Sequence, residues 1–178
     1  VVDIAIVESY TYHSSLQTLR LPSEQYMFIT SCENPRMAAY RDAACSPEAP
    51  LDIDAGWLAD DLFICPSFKG RMNRQTQWMC STYNFQPKRT LFLASGMTAY
   101  RMAVSGMGLT FQNAAYSTFV KTKERPLFIM PGGKATQHHV FALFKGEPRP
   151  GLQQDFMRLL HDRMSTAIYG EVTPMEYM

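Results

Sequence analysis

Short apolar runs alternate with segments of helical period along this chain. The apolar runs predict strands over residues 1–7, 25–31, 61–67, 89–95, 109–111, 126–130 and 138–145. Because the first run is almost continuously apolar, we expect that strand to be covered on both faces. Strands that alternate with helices favour an α/β fold with a largely parallel sheet.

Two longer segments have apolar residues at helical spacing. One predicted helix starts near Gly70 or Arg71 and ends before Pro87, and its apolar face consists of Met72, Thr76, Met79, Cys80 and Tyr83. The other closes the chain from near Pro150, and its apolar stripe consists of Leu152, Phe156, Leu159, Leu160 and Met164. Residues 33–54 are loop-like, and Asp54 is expected to cap a short helical turn.

A third helix is predicted before Ser105, capped by Ser95 or Thr98, and it runs into the pair Gly106 and Gly108. A dinucleotide-binding fingerprint requires a strand, then glycines, then a helix whose N-terminus faces the pyrophosphate. Here the helix precedes the glycines and a strand follows them, which argues against a nucleotide site. We therefore expect Gly106 to end the helix in the left-handed conformation and Gly108 to allow a tight turn.

The bulk composition limits the classes of partner. The net charge of +1 gives no basic face for nucleic acid, and no stretch approaches the ~20 apolar residues that span a bilayer. Asp3 and Glu8 interrupt the first apolar residues, so no secretory signal is expected there. Cysteines without C-x-x-C spacing predict reduced structural thiols and a cytoplasmic protein; they are Cys32, Cys45, Cys65 and Cys80.

The sequence shows no clear catalytic or metal-binding arrangement. His138 and His139 are neighbours in a predicted strand, so their side chains leave opposite faces and do not chelate one ion together. Residues 104–108, VSGMG, lack the spacing of a G-x-S-x-G elbow, and no paired carboxylates stand out. We therefore expect a protein that is not an enzyme and that needs neither a metal ion nor a cofactor.

Two junctions between a strand and a helix offer hydrogen-bond donors. The segment CPSFKGRMNR, residues 65–74, suits a small carboxylate or another anion because it combines donors with an apolar wall. The residues concerned are Ser67, Phe68, Lys69 and Arg71. An ordinary solvated helix cap explains them equally well at this point. The second junction, ASGMT at residues 94–98, has the same chemistry and is expected to lie beside the first.

Taken in order, these segments resemble the effector-binding regulatory domain of LysR-type bacterial transcription regulators, from about residue 3 to residue 165. DIAIV resembles a strand of the family's first lobe, and EQYMFITSCENPRMA resembles its crossover strand. LADDLFICPSFKGRMNRQTQWMCSTYNFQP is similar to the second lobe's opening strand, ligand loop and helix. TAYRMAVSGMGLTFQNA resembles the family's helix and Gly-x-Gly stretch, and HHVFALFKGEPRPGLQQDFMRLLHDRM resembles its return strand and closing helix.

Two positions depart from the family's pattern. Asn34, Pro35 and Arg36 stand where the family usually has His-Pro-Leu, and Gln112 with Asn113 stands where it often has proline.

The resemblance implies a two-lobed α/β fold like that of type II periplasmic binding proteins. Residues 32–136 would form a complete second lobe, and residues 1–31 with 137–178 would form part of the first. A small, anionic effector would bind between the lobes. The implied ligand-binding residues are Ser9 and Tyr10 from the first lobe, and Pro66, Ser67, Phe68, Lys69, Arg71, Ser95, Gly96, Met97, Thr98 and Phe111 from the second. Phe111 also suits packing in the core.

The resemblance also implies partners. Such regulators form dimers or tetramers, and they bind DNA through an N-terminal helix-turn-helix domain that we expect to be absent from this chain. No membrane partner is expected. Three alternatives stay open: a periplasmic-type solute-binding protein for a small organic acid or amino acid, a dimerisation module without a ligand, and an enzyme on the same scaffold.

Overall fold

The protein is described by a computed structural model over residues 4–8, 16–68, 71–72, 74–133, 136–145, 151–169 and 175–177. Its strands are β1 (Ile4–Glu8), β2 (Gln17–Ser31), β3 (Leu62–Phe68), β4 (Arg71–Met72), β5 (Arg89–Leu93), β6 (Thr110–Asn113), β7 (Pro126–Ile129), β8 (Thr136–Phe144) and β9 (Glu176–Tyr177). Its α-helices are α1 (Ala55–Leu58), α2 (Arg74–Thr82), α3 (Gly96–Met102), α4 (Tyr116–Phe119) and α5 (Leu152–Tyr169). Short 3₁₀ helices cover Pro35–Tyr40 and Pro131–Gly133.

Each strand predicted from an apolar run coincides with a strand of the structure, and an α/β architecture is confirmed. β2 is longer than predicted, since it begins at Gln17 rather than Gln25. Its first half, QTLRLPSE, mixes polar residues with a proline, so no continuous apolar run marks it. The predicted cap of the short helix α1 is also confirmed, because Asp54 Oδ1 accepts the Trp57 N–H at 3.0 Å.

The chain divides into two compact units. The first consists of Val1–Glu24 and Gln137–Met178, and the second is Gln25–Thr136. One division between the units falls within β2. The assignment of lobes to residues 1–31 with 137–178 and to residues 32–136 stays a prediction.

The first unit is built on antiparallel strands. β1 pairs with β8, with Ile4 opposite Phe144, and β8 lies beside β2. One face of these strands packs against α5, and the buried residues of this core are Leu19, Leu21, Val140, Ala142, Phe144 and Met157. β1 is not covered on both faces as expected, because Ala5 is exposed and the Ile6 side chain is 50% exposed.

The inward face of α5 differs from the predicted stripe. Leu160 and Met164 pack against the core as expected, but Leu152, Phe156 and Leu159 are exposed. The buried face is completed by Met157, His161 and Ser165, which recur with Leu160 and Met164 at helical spacing. The prediction of the stripe was wrong for the three exposed residues, because two positions of the buried face, His161 and Ser165, are polar.

The second unit contains a mixed sheet. β5 and β3 are parallel, with Leu62 opposite Arg89 and Pro66 opposite Leu93. β3 is also hydrogen-bonded to the residue that precedes β6, because the Ile64 N–H donates to the Leu109 carbonyl at 2.7 Å. β6 and β7 each pair with β2 in antiparallel fashion. The expectation of a largely parallel sheet was wrong, since β2 runs against its neighbours in this unit.

Aromatic side chains form the centre of the second unit's core. The Phe28 ring lies 4.9 Å from the Phe85 ring and 5.4 Å from the Phe111 ring, and Phe63 contacts Phe85 at 5.2 Å between centroids. Burial of each such side chain stabilises the fold by roughly 1.5–3 kcal/mol. On the opposite face, a second cluster contains Met27, Ile29, Tyr100, Val104, Ala114, Val120, Phe128 and Met130.

A buried polar network joins three segments of this unit. The Asn34 amide Nδ2 donates to Asp61 Oδ2 at 2.6 Å and to Thr30 Oγ1 at 2.9 Å. The Thr30 hydroxyl donates to the Gly108 carbonyl at 2.8 Å, and Asp61 Oδ1 accepts the Leu62 N–H. Asn34 also caps the first 3₁₀ helix, since its Oδ1 accepts the Arg36 N–H. Asn34 therefore connects the crossover strand to the start of β3.

Gly106 has the structural role that the sequence predicted, whereas the tight turn expected at Gly108 was wrong, because the backbone of Gly108 is extended. α3 continues into a π-helical turn, Ala103–Met107, within which Gly106 has φ +84°. Gly108 is extended, and its importance is steric, because a Cβ there would lie 2.3 Å from the Leu62 carbonyl oxygen. The pair ends the helix and allows the chain to pass close to β3.

Candidate functional site

The carboxyl ends of β3, β5 and β6 lie at one edge of the second unit. Pro66 near the end of β3 pairs with Leu93 at the end of β5. β6 leaves its contact with β3 in the same direction, because the bridge between Phe63 and Leu109 is parallel. Thr110 reinforces that contact by donating its hydroxyl to the Ile64 carbonyl at 2.7 Å. Strand ends of this kind are where α/β folds commonly bind ligands.

The first predicted ligand segment lies at this edge. Pro66 and Ser67 are half-buried at the end of β3. The backbone of Phe68 pairs with that of Arg71, and Ser67 pairs with Met72, so the segment folds back as a short antiparallel hairpin. Lys69, Ser9 and Tyr10 lie outside the described residues, and their roles in binding stay predictions.

The helix after this segment begins later than predicted. α2 starts at Arg74, whereas Arg71 and Met72 belong to the strand β4. The expectation of a helix from Gly70 or Arg71 was wrong, because the chain first pairs with β3. The predicted apolar face is confirmed otherwise, since Thr76 and Met79 are buried and Met72, Cys80 and Tyr83 pack against the core.

The second predicted segment, residues 94–98, follows β5 directly. Ser95 caps α3, with its Oγ accepting the Thr98 N–H at 3.3 Å. Met97 and Thr98 are exposed, and Gly96 is half-buried. The parallel register therefore brings Ser67 and Ser95 to one edge of the sheet, each just past the paired residues Pro66 and Leu93.

Phe111 differs from the other predicted site residues in its burial. Its side chain is 2% exposed, and its ring packs against Tyr26 and Phe28 in the aromatic core. Its position fits the core packing that the sequence also suggested.

Two residues beside Gly96 were not predicted as site residues. Gln112 at the end of β6 is buried, and its amide Nε2 has no hydrogen-bond partner among the described residues. Tyr116 at the start of α4 directs its hydroxyl toward Gly96, where a Cβ would lie 3.0 Å from the Tyr116 oxygen. The signal in the sequence was the departure at Gln112, a polar residue at the end of an apolar strand.

Burial shifts the acidity of two groups near this edge. Desolvation raises the pKa of the Cys65 thiol to about 11, and a hydrogen bond from Thr76 opposes the shift. Desolvation also raises the pKa of Tyr100 to about 12, so its phenol is neutral at physiological pH. Both groups therefore contribute no negative charge that would repel an anion.

The described residues include no group of three or more His, Cys, Asp and Glu side chains that could hold a metal ion. The four cysteines are free thiols. His139 Nδ1 lies 2.9 Å from the Ser23 hydroxyl and 3.0 Å from Arg20 Nη2 on the first unit. Within the part of the chain that is described, no helix is long and apolar enough to cross a membrane.

Comparison with known proteins links the chain to one fold. In sequence, it matches no protein-family profile and no curated protein. In structure, it is similar to the BenM effector-binding domain with its effector benzoate, with a TM-score of 0.61 and 12% identity, over 97% of this chain and 73% of that one. It is also similar to the Synechocystis PCC6803 CcmR regulatory domain in complex with 2-PG, with a TM-score of 0.62 and 16% identity, over 91% and 73% of the two chains.

A third similar structure is that of CbnR, a LysR family transcriptional regulator, with a TM-score of 0.57 and 10% identity. The match covers 92% of this chain and 53% of CbnR. At such low identities, the likeness establishes the fold. The chain therefore has the α/β, periplasmic-binding-protein-like fold of the effector-binding domains of LysR-family regulators.

Proposed function

We propose that the chain is the effector-sensing regulatory domain of a cytoplasmic LysR-type transcription regulator and that its effector is a small anionic metabolite. The observation that carries the proposal is the parallel pairing of β3 with β5, which brings Ser67 and Ser95 to the same edge of the sheet. The structural likeness to regulatory domains that are complexed with benzoate and 2-PG supports the same class of ligand.

The mechanism follows from linkage. An effector held between two lobes would favour one lobe arrangement only if it binds the arrangements with different affinity. In a dimer or tetramer, that shift would change the spacing of DNA-binding domains that belong to the complete regulator. In this mechanism, the present chain binds the effector and its lobes change their arrangement. The DNA-binding domain of the complete regulator recognises the DNA.

A thermal-shift screen with benzoate, 2-PG and other small organic acids tests the proposal. An acid that raises the midpoint of unfolding in a concentration-dependent way supports it, because a ligand that binds the native state stabilises that state. If no acid in the panel stabilises the chain and neutral analogues do, the effector is not anionic and the proposal is wrong in that respect.

The ligand loop supplies a sharper test by calorimetry. Lys69→Ala combined with Arg71→Ala is expected to weaken binding of the selected acid by ~1–3 kcal/mol, through loss of charged hydrogen bonds. A matched control, Lys121→Ala with Lys123→Ala, removes the same amount of charge from exposed positions outside the site. Equal affinity of the loop variant and the control contradicts the role of the loop.

A further inference from the structure

Three sulfur-containing side chains meet where α2 packs against β3 and β4. The Cys80 Sγ atom on α2 lies 4.0 Å from the Met72 Sδ atom on β4. Cys65 on β3 belongs to the core cluster against which both of these side chains pack. We name these three residues, Cys65, Met72 and Cys80, the sulfur cluster.

The strand pairing directs Cys65 and Met72 to the same side of the hairpin. Met72 lies opposite Ser67 in the antiparallel pair of β3 and β4, so these two side chains share one face. Cys65 precedes Ser67 by two positions, and residues two apart in a strand also share a face. Cys65 and Met72 are therefore diagonal neighbours across the two strands.

Cys65 is linked to α2 as well. The Thr76 hydroxyl donates a hydrogen bond to the Cys65 sulfur, and Thr76 lies one helical turn before Cys80 on the same face of α2. Burial raises the pKa of Cys65 to about 11, and repulsion from a Cys80 thiolate adds to the shift. The two thiol groups are therefore close enough to influence each other, and a cation bound between the sulfur atoms would remove the repulsion.

The separation of Cys80 Sγ and Met72 Sδ suits two ligands of one metal ion. With metal–sulfur bonds of about 2.3 Å, two sulfur atoms 4.0 Å apart subtend an angle of about 120° at the ion. That angle is typical of threefold coordination, which leaves one position for the Cys65 sulfur. Met72 and Cys80 are half-buried and Cys65 is fully buried, so an ion reaches the cluster from the side of Met72 and Cys80.

We propose that the sulfur cluster binds one Cu(I) ion through Cys80 Sγ, Met72 Sδ and Cys65 Sγ. Thiolate and thioether sulfur are soft ligands that select Cu(I), whereas Mg²⁺ and Ca²⁺ require oxygen ligands. Zn²⁺ takes four ligands from Cys, His and carboxylate side chains, so a thioether ligand disfavours zinc. Each thiol releases its proton to solvent as its copper–sulfur bond forms, and copper stays in the Cu(I) state.

The ion would join three elements that carry the first predicted ligand segment. Its ligands come from β3, β4 and α2, so copper binding is expected to hold the hairpin of β3 and β4 against the helix. Metal binding goes beyond effector sensing and does not depend on it. The sequence alone does not predict the site, because positions 65, 72 and 80 lack C-x-x-C spacing and one of the three ligands is a methionine.

Competition for Cu(I) tests the proposal. The chain is titrated anaerobically, with ascorbate present, into the coloured Cu(I) complex of bathocuproine disulfonate, and the fall in absorbance measures the transfer of copper. We expect the chain to take up one equivalent of Cu(I). X-ray absorption of the loaded chain is expected to show three sulfur neighbours around copper.

Two variants each remove one ligand. Loss of a hydrogen-bond partner of a metal ligand usually costs about ten- to hundred-fold in metal affinity, so loss of a ligand itself should cost at least about ten-fold. We therefore expect Cys80→Ser and Met72→Leu each to weaken Cu(I) binding by at least that factor. Thermal unfolding of the copper-free variants checks that they fold, and Met72→Leu decides if Cys80→Ser does not fold.

Two matched controls change sulfur atoms outside the cluster. Cys45→Ser alters a half-buried thiol, and Met107→Leu alters an exposed thioether. Both are expected to bind Cu(I) as the wild-type chain does. Equal affinities of the ligand variants and the controls overturn the proposal, and so does loss of the bound equivalent in Cys45→Ser. Nitrogen or oxygen neighbours around copper in place of sulfur would overturn it too.

Discussion

Asn34 has a structural role at a position where the sequence departs from the family's usual His-Pro-Leu. The resemblance placed Asn34, Pro35 and Arg36 where His-Pro-Leu is usual, and the sequence offered no role for the change. In the structure, Asn34 bonds to the buried Asp61 carboxylate at 2.6 Å and caps the following 3₁₀ helix. Arg36 lies over the Trp57 ring, 4.8 Å from its centroid. Asp61 lies 27 positions after Asn34, and Trp57 lies 21 positions after Arg36. The local sequence pattern therefore does not reveal these roles.

Loss of the Asn34 side chain should be costly. Asn34→Ala removes the hydrogen bonds to Asp61 and Thr30 and leaves a carboxylate without this partner in a buried site. We expect the free energy of unfolding to fall by about 2–4 kcal/mol. Urea denaturation measures the change, with Asn84→Gly as the control, because Asn84 is exposed and has φ +48°. A loss for Asn34→Ala no larger than that for the control contradicts the role of the network.

The Cys65 thiol gives a pH dependence at the residue scale. Its folded-state pKa is raised from 9.0 to about 11 by burial, so the unfolded chain loses the thiol proton first as pH rises. The neutral thiol therefore favours the native state below pH 9, and this contribution is lost between pH 9 and 11, by an amount of roughly 2–3 kcal/mol.

Unfolding by urea at a series of alkaline pH values measures this loss. Cys65→Ala is expected to lower stability at pH 7 and to show a shallower decrease between pH 9 and 11. Cys32→Ala, which removes another buried thiol from the same core, is the control. Parallel stability curves for Cys65→Ala and the wild-type chain would exclude Cys65 as the cause of the alkaline loss.

At the scale of elements, the short apolar runs identified strands well, because a strand buried on one or both faces needs only a few apolar residues. Helix faces were harder to predict. For α5, the apolar stripe chosen from sequence included Leu152, Phe156 and Leu159, which are exposed, whereas His161 and Ser165 are buried. A helical wheel counts apolar side chains, and it does not show which side meets the sheet.

The corrected face of α5 makes a direct prediction. Met157→Ala removes a fully buried side chain from the core of the first unit, and we expect a loss of about 2–4 kcal/mol. Leu159→Ala changes a side chain that is 57% exposed, and a change within about 0.5 kcal/mol is expected. Chemical denaturation compares the two variants. Similar losses for both would mean that α5 presents a different face to the sheet.

The turn between α3 and β6 is a second test at this scale. Gly108→Ala would bring a Cβ to 2.3 Å from the Leu62 carbonyl oxygen, so the backbone contact with β3 must open. We expect a loss of more than about 2 kcal/mol. Gly133→Ala has no atom within 4 Å and costs only the strain of φ +64°, about 1–2 kcal/mol. Thermal unfolding that ranks Gly133→Ala as the more damaging change contradicts this account of Gly108.

For the whole molecule, the order of segments predicted the fold that the structure has. Each segment alone was short and unspecific, but the order of the segments from DIAIV to the closing helix matched one fold. The structural comparisons confirm that fold. The site was predicted less completely. The strand ends at Ser67 and Ser95 follow from topology, whereas Gln112 and Tyr116 lie next to Gly96 through the packing of β6 and α4, which no local pattern describes.

Hydrogen–deuterium exchange of the chain, with and without the acid that stabilises it most, tests the central claim most directly. We expect slower exchange in residues 66–72 and 94–99, because the claim is that the effector binds at the carboxyl ends of β3 and β5. Peptides from the middle of α5 should be unchanged and serve as an internal control. Protection confined to β1 and α5, with no change at either strand end, would contradict the claim.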